Sequence, residues 1–97
     1  MKVLDIINTL ESSGINVDIH DPLADPDEVF SSLNRNLISI TKTKKYKALV
    51  LAVNHKDFYS IEEKKYKELV MEGGIILDLK GVMRNKKVPN GLRLISI

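Results

Sequence analysis

Val3, Ile6, Ile7 and Leu10 recur at i, i+3, i+4 and i+7. That spacing puts one apolar face on a helix, so residues 2–13 are predicted helical, with Gly14 as the C-terminal cap. The period then changes. Ile15, Val17 and Ile19 alternate with Asn16, Asp18 and His20, which predicts a strand with one polar face, ended by Asp21 and Pro22. In "DPDEVFSSL", Asp25 is placed as N-cap, Pro26 at the first helical position and Glu28 at the third, so a short second helix should follow. "LISI" at 37–40 is a brief strand candidate, and the lysine-rich segment behind it reads as a solvated turn or a single helical turn.

"ALVLAV" at 48–53 shows no polar alternation, the pattern of a strand buried on both faces of a parallel sheet. Ser60 and Glu63 form an S-x-x-E capping box that should open a helix from Ile61 to about Met71, ending at Gly73 and Gly74. "IILDL" at 75–79 is a further buried strand, and "RLISI" is a closing one. Strands alternating with helices in this rhythm predict a Rossmann-like three-layer α/β/α domain with a mostly parallel sheet of about five strands. One feature departs from that plan. The chain opens on a helix, whereas a doubly wound unit normally opens on the strand from which the sheet is wound outward, so a central strand is expected to be missing.

Composition narrows the classes. The 97 residues, 43% hydrophobic and 29% charged, suit one folded domain with a modest core. Fifteen Lys and Arg against 13 Asp and Glu leave a net charge of +2, too small to argue for nucleic acid and equally compatible with an anionic small molecule. The absence of cysteine excludes disulfides, thiolate metal sites and cysteine nucleophiles on this chain. Asp5, Asn8 and Glu11 interrupt the first helix, which is therefore neither a signal-peptide core nor a membrane span. The expectation is a soluble cytoplasmic protein with no membrane or nucleic-acid partner.

Open parallel sheets bind ligands beyond the C-terminal ends of their strands, where loops diverge. Three polar clusters fall at such ends: His20, Asp21 and Pro22; Asn54, His55 and Lys56; and Asp78, Lys80 and Gly81. Each has a plainer reading. A histidine after a strand commonly bonds nearby backbone, and Asp21 before Pro22 is a turn former. The lysines at 42–47, 64–67 and 86–87 read as solvated faces. Lys80 stands apart because it directly follows a buried strand and adjoins a glycine, where a cation can pair with a phosphate. The chain has no G-x-G-x-x-G, Walker A, H-E-x-x-H or G-x-S-x-G motif, and His20, His55 and Asp21 show no metal-binding spacing.

The segments "GINVDIHDPLADPDEV", "KYKALVLAVNHKDF" and "GGIILDLKGVM", followed by a short closing strand, resemble the C-terminal UDP-binding domain of the UDP-glucose/GDP-mannose dehydrogenase family. The likeness is strongest to the bacterial UDP-N-acetylhexosamine 6-dehydrogenases of polysaccharide biosynthesis, whose matching segments read much like "YDP", "AVAHKEF" and "DVKG". It spans nearly the whole chain, in the right order and spacing. The resemblance implies an enzyme that oxidises the C6 alcohol of a UDP-sugar to a carboxylate in two NAD-dependent steps. NAD would sit on a separate Rossmann domain, and the catalytic cysteine and dimer contacts on a central helical domain. It implies further that Lys80 faces the bound UDP-sugar and that Asn54, His55 and Lys56 form the loop at the mouth of the cleft, with Asp78 beside them as a substrate contact.

The chain departs from the family pattern in lacking any cysteine, the NAD and helical domains, and the "F-K" and "D-D-x-R" segment with its preceding strand. It is therefore expected to be a UDP-binding domain over 1–97, shortened on its N-terminal side and not catalytic alone, with no cofactor of its own. A missing central strand would leave unpaired backbone groups on its neighbours. Residues 15–20 and 47–53 are accordingly expected to close against each other or to pair across a homodimer. The alternatives are a remnant that self-associates without binding nucleotide and, more remotely, a small receiver-like module.

Overall fold

The computed structural model describes residues 3–21, 25–33, 37–38, 44–52 and 61–96. The chain divides into two units, Met1–Ile40 and Thr41–Ile97.

In the first unit, helix α1 (Val3–Ser12) carries the predicted apolar face, with Ile7 buried. Its end is a Schellman motif: the Ile15 amide donates to the Leu10 carbonyl at 3.1 Å and the Gly14 amide to Glu11 at 3.0 Å. Gly14 reaches the φ of 85° that this geometry needs and that side chains disfavour. The predicted strand at 15–20 contracts, among the described residues, to one parallel bridge between Ile19 and Leu37, where the Ile38 amide donates to the Ile19 carbonyl at 2.8 Å. Two strands alone are marginal, and Ile15, 49% exposed, adds little apolar burial to hold a longer ladder. The partner segment is nevertheless the predicted one at 37–40, of which residues 39–40 lie outside the described residues. Helix α2 (Pro26–Leu33) begins as expected, with the Asp27 amide donating to Asp25 Oδ1 at 2.9 Å and the Val29 amide to the Asp25 carbonyl at 3.0 Å.

The second unit holds β1 (Tyr46–Leu51), α3 (Glu63–Leu69), β2 (Val70–Asp78) and β3 (Arg93–Ser96). Among the described residues the strands form a three-stranded parallel sheet in the order β1-β2-β3, so the α/β class and the parallel pairing stand. Leu51, Tyr66, Ile76, Val82 and Met83 form its core, and Leu49, Ile61, Leu92 and Leu94 pack against them.

Two expectations about this unit are corrected. Strand β1 is not buried on both faces: Lys47 and Ala48 are exposed and only Leu51 is fully buried. Among the described residues β1 lies at one end of the strand order, with β2 as its hydrogen-bonded neighbour. Helix α3 is also shorter than predicted. Its N-cap is Glu62, with no side-chain capping bond, and Ser60 of the expected capping box lies outside the described residues. The helix stops at Leu69 and Val70 passes straight into β2, so Gly73 and Gly74 sit within the strand and not at a helix end.

There the ladder is irregular: Tyr46 pairs with Val70 and Ala48 with Ile75, a two-residue step on β1 against five on β2. Glycine is required at 74, where a Cβ would lie 2.5 Å from Val70 Cγ1 and 2.8 Å from the Lys47 carbonyl oxygen. Among the described residues no helix is long and apolar enough to cross a membrane.

Candidate functional site

Parallel pairing places Leu51, Asp78 and Ser96 at the carboxyl ends of three adjacent strands, and the Leu79 amide, donating to Leu51 at 3.1 Å, extends the β1–β2 contact one residue further. Residues 79–92 then return the chain to β3 through turns instead of the helix usual in a parallel crossover. Without helical bonds, these amides need other acceptors.

Asp78 supplies them. Its Oδ1 accepts from the amides of Lys80 at 3.2 Å, Gly81 at 2.9 Å and Val82 at 3.0 Å, and its Oδ2 from Met83 at 2.8 Å. The side chain is buried. Burial pushes its carboxyl upward, but the four backbone donors of Met83, Val82, Lys80 and Gly81 outweigh it and hold the group below the ordinary aspartate range. Asp78 is thus a buried anion that organises the loop. Val82 and Met83, both buried, anchor the same loop in the core.

Two turns continue the path: the Arg84 amide donates to Gly81 at 3.3 Å and the Lys86 amide to Met83 at 3.0 Å. The Arg84 guanidinium lies over Gly81, where a Cβ would come within 3.3 Å of Nη2. Gly81 also has a φ of 82°, so glycine serves both the backbone and the close approach of the arginine.

Lys86 is half-buried and is no solvated lysine as the sequence suggested: its Nζ donates to the Ile61 carbonyl at 2.6 Å and stands 5.4 Å from the centroid of the Tyr66 ring. Burial draws the Lys86 ammonium below the usual lysine range. Tyr66 is raised, first by burial and then by the charge of Asp78. Its buried hydroxyl has no hydrogen-bond partner among the described residues.

A groove of about 330 Å³ opens beside this loop, lined by Asp78, Gly81, Met83, Arg84, Lys86, Leu94 and Ser96. Since Asp78 and Ser96 are register partners, it lies at the carboxyl ends of β2 and β3. Of the residues singled out from sequence, Asp78 lines the groove, Lys80 is exposed on the loop and is not part of the lining, and Asn54, His55 and Lys56 lie outside the described residues. Arg84 and Lys86, which do line it, were not singled out. The signal for Arg84 is local, a cation three residues beyond a glycine and directly after a buried Val-Met pair; the signal for Lys86 is its contact with Ile61, 25 residues away.

The His20 cluster has a structural role: in the tautomer protonated at Nδ1, the ring donates to the Ile38 carbonyl at 3.0 Å, while Pro22 lies outside the described residues. Among the described residues no group of His, Asp or Glu is arranged to hold a metal ion. NAD, which the resemblance implies for full-length members, does not fit what is present. The five glycines at 14, 73, 74, 81 and 91 never form G-x-G-x-x-G, and the amides at 80–83 already face Asp78.

Protein CapL of Staphylococcus aureus is 34% identical over 93 residues, covering 96% of this chain and 22% of that protein. The UDP-N-acetyl-D-glucosamine 6-dehydrogenase of Salmonella typhi is 27% identical over 82 residues, covering 84% of this chain and 19% of that enzyme. The chain thus spans roughly a fifth of the length of these curated relatives. No solved structure matches it significantly. Residues 2–85 match the UDP binding domain of the UDP-glucose/GDP-mannose dehydrogenase family, and the chain belongs to that family.

Proposed function

We propose that residues 1–97 act as the nucleotide-sugar-binding domain of an NAD-dependent UDP-sugar 6-dehydrogenase, which converts a C6 alcohol to a carboxylate in bacterial polysaccharide precursor synthesis. The match of residues 2–85 to the family's UDP binding domain carries this reading. Similarity to the Salmonella typhi enzyme supports the choice of a UDP-N-acetylhexosamine over other UDP-sugars. The chain has no cysteine, so in this reading these residues bind and orient the nucleotide while oxidation, with its NAD, takes place on residues outside them.

In this role Lys80 offers its ammonium to the diphosphate, and Asn54, His55 and Lys56 close the mouth of the cleft. Asp78 contributes through the loop that it holds. Binding takes place in the cytoplasm, where UDP-sugars are made, and the domain works as a homodimer. A charge-assisted contact contributes about 1.5–3 kcal/mol, so one such cation alone gives only weak affinity and several groups must act together.

The test is a titration of the isotope-labelled chain with UDP, following backbone amide shifts. The expected outcome is saturable shifts confined to Asn54–Phe58 and Asp78–Arg84. A flat spectrum up to millimolar UDP would overturn the reading and favour a self-associating module that binds no nucleotide.

A further inference from the structure

The turn that leads into β3 carries a chemistry that nucleotide binding does not use. Asn90 is the only asparagine of the chain that precedes a glycine, and it is exposed. Asparagine is thermally labile because the next backbone nitrogen can attack its side-chain amide. A β-carbon on that next residue hinders the approach, and Gly91 has none.

Asn85 gives an internal comparison. It too is exposed and lies in a turn, but it precedes Lys86, whose amide is engaged with the Met83 carbonyl at 3.0 Å. The Gly91 amide donates to no acceptor among the described residues. The groups around it are bonded: the Leu92 amide donates to the Pro89 carbonyl at 3.1 Å, and the Gly91 carbonyl accepts from the Gly73 amide at 2.6 Å. Pro89 is buried and Gly91 holds a φ of 85°. The turn is therefore held at its flanks while the Gly91 nitrogen, the nucleophile, stays unengaged.

We propose that Asn90 is a site of spontaneous deamidation whose conversion loosens the pairing of β2 and β3 at their amino ends. The Gly91 nitrogen attacks Asn90 Cγ, the Cγ–Nδ2 bond breaks, and Nδ2 leaves as ammonia with the proton that Gly91 gives up. Water then opens the resulting cyclic imide at either carbonyl, leaving aspartate or isoaspartate. The balance is one water consumed and one ammonia released, with no oxidant or reductant.

The turn is sensitive to both products. A Cβ on Gly91 would lie 3.3 Å from Glu72 Cγ and 3.8 Å from its Oε1, so a carboxylate at position 90 is formed close to an existing one. Isoaspartate also adds a methylene to the backbone between Pro89 and Gly91, which pulls against the Leu92–Pro89 and Gly73–Gly91 bonds. The Asp78 loop lies at the other end of β2 and is not strained by either change.

The test incubates the folded wild-type chain and N90Q at physiological temperature in neutral and mildly alkaline buffer, with a wild-type sample in urea, and maps conversion by peptide mass spectrometry. In the folded wild type, Asn90 should convert several-fold faster than Asn85, faster in alkali, with isoaspartate the main product. N90Q should gain no acidic form at this position, because glutamine would have to close a larger ring. Conversion of Asn90 no faster than that of Asn85, or conversion in urea alone, would overturn the site, the second by showing that the folded turn shields it.

The acidic form, separated by ion exchange, is then compared with fresh protein by hydrogen exchange. The amides of Gly73 and Leu92 should exchange several-fold faster, with those of Val82 and Met83 unchanged. Equal rates at Gly73 and Leu92 would overturn the loosening. None of these outcomes depends on UDP, so the proposal stands or falls separately from the nucleotide-binding reading.

Discussion

Helix α2 begins on an exposed aspartate, Asp25, whose Oδ1 accepts one amide, from Asp27, whereas strand β2 ends on a buried aspartate, Asp78, whose two oxygens accept four. Both residues cap a chain segment that lacks acceptors of its own. They differ in what replaces them when they fail. Around Asp25 water can reach the freed amide, so the bond adds only the difference between one good acceptor and another. Around Asp78 the amides of Val82 and Met83 belong to buried residues and bond to no other acceptor among the described residues. A residue's contribution is therefore set less by its type or its number of bonds than by whether solvent can take over.

The largest expected effect tests that contrast at its buried end. Asp78→Ala removes the acceptor of four amides at once and should destabilise the second unit by about 3–5 kcal/mol, or prevent its folding. Chemical denaturation followed by circular dichroism reads this directly. A loss under about 1 kcal/mol would break the comparison, because it would mean that the loop finds water or relaxes.

A smaller effect separates charge from geometry. The folded-state pKa of Asp78 is depressed, so between that value and the ordinary aspartate value of about 3.9 the unfolded chain binds more protons than the folded one. The stability from this ionised group should be fully present above that ordinary range and be lost as pH falls through the folded value. Denaturation midpoints between pH 7 and pH 3 should show the slope in wild type, and Asp78→Asn should flatten it. An unchanged slope in the variant would assign the acid sensitivity to other carboxylates.

The smallest effect lies at the exposed end. Asp25→Ala should cost about 1 kcal/mol, seen as several-fold faster hydrogen exchange of the first α2 amides with the sheet amides unchanged. A cost equal to that of Asp78→Ala would show that burial is not what distinguishes the two caps.

The same contrast explains which parts of the molecule could be read from the chain. The caps at Gly14 and Asp25 were legible because every group in them lies within five residues, so spacing and residue type suffice. The parallel strands β2 and β3 were legible as apolar runs. The burial of β1 was not, because the unbroken apolar run "ALVLAV" gives no sign that Ala48, like Lys47 before it, is exposed. Gly73 and Gly74 looked like helix terminators; their place in β2 follows from the Gly73 amide meeting the Gly91 carbonyl at 2.6 Å, a contact across 18 residues. Lys86 looked like surface charge for the same reason, its acceptor lying on Ile61.

Family membership lay within reach of sequence alone, since three ordered segments carry it and the match over residues 2–85 bears it out. So did the α/β class and the helix caps at Gly14 and Asp25. Tertiary structure decided that the Asp78 carboxylate turns inward to hold a loop, that Arg84 lies on Gly81 and that the groove is walled by Arg84 and Lys86. The physical reason is one of range. Periodicity and capping report interactions of a few residues, whereas the burial that fixes a charge's role depends on which distant segments exclude water from it.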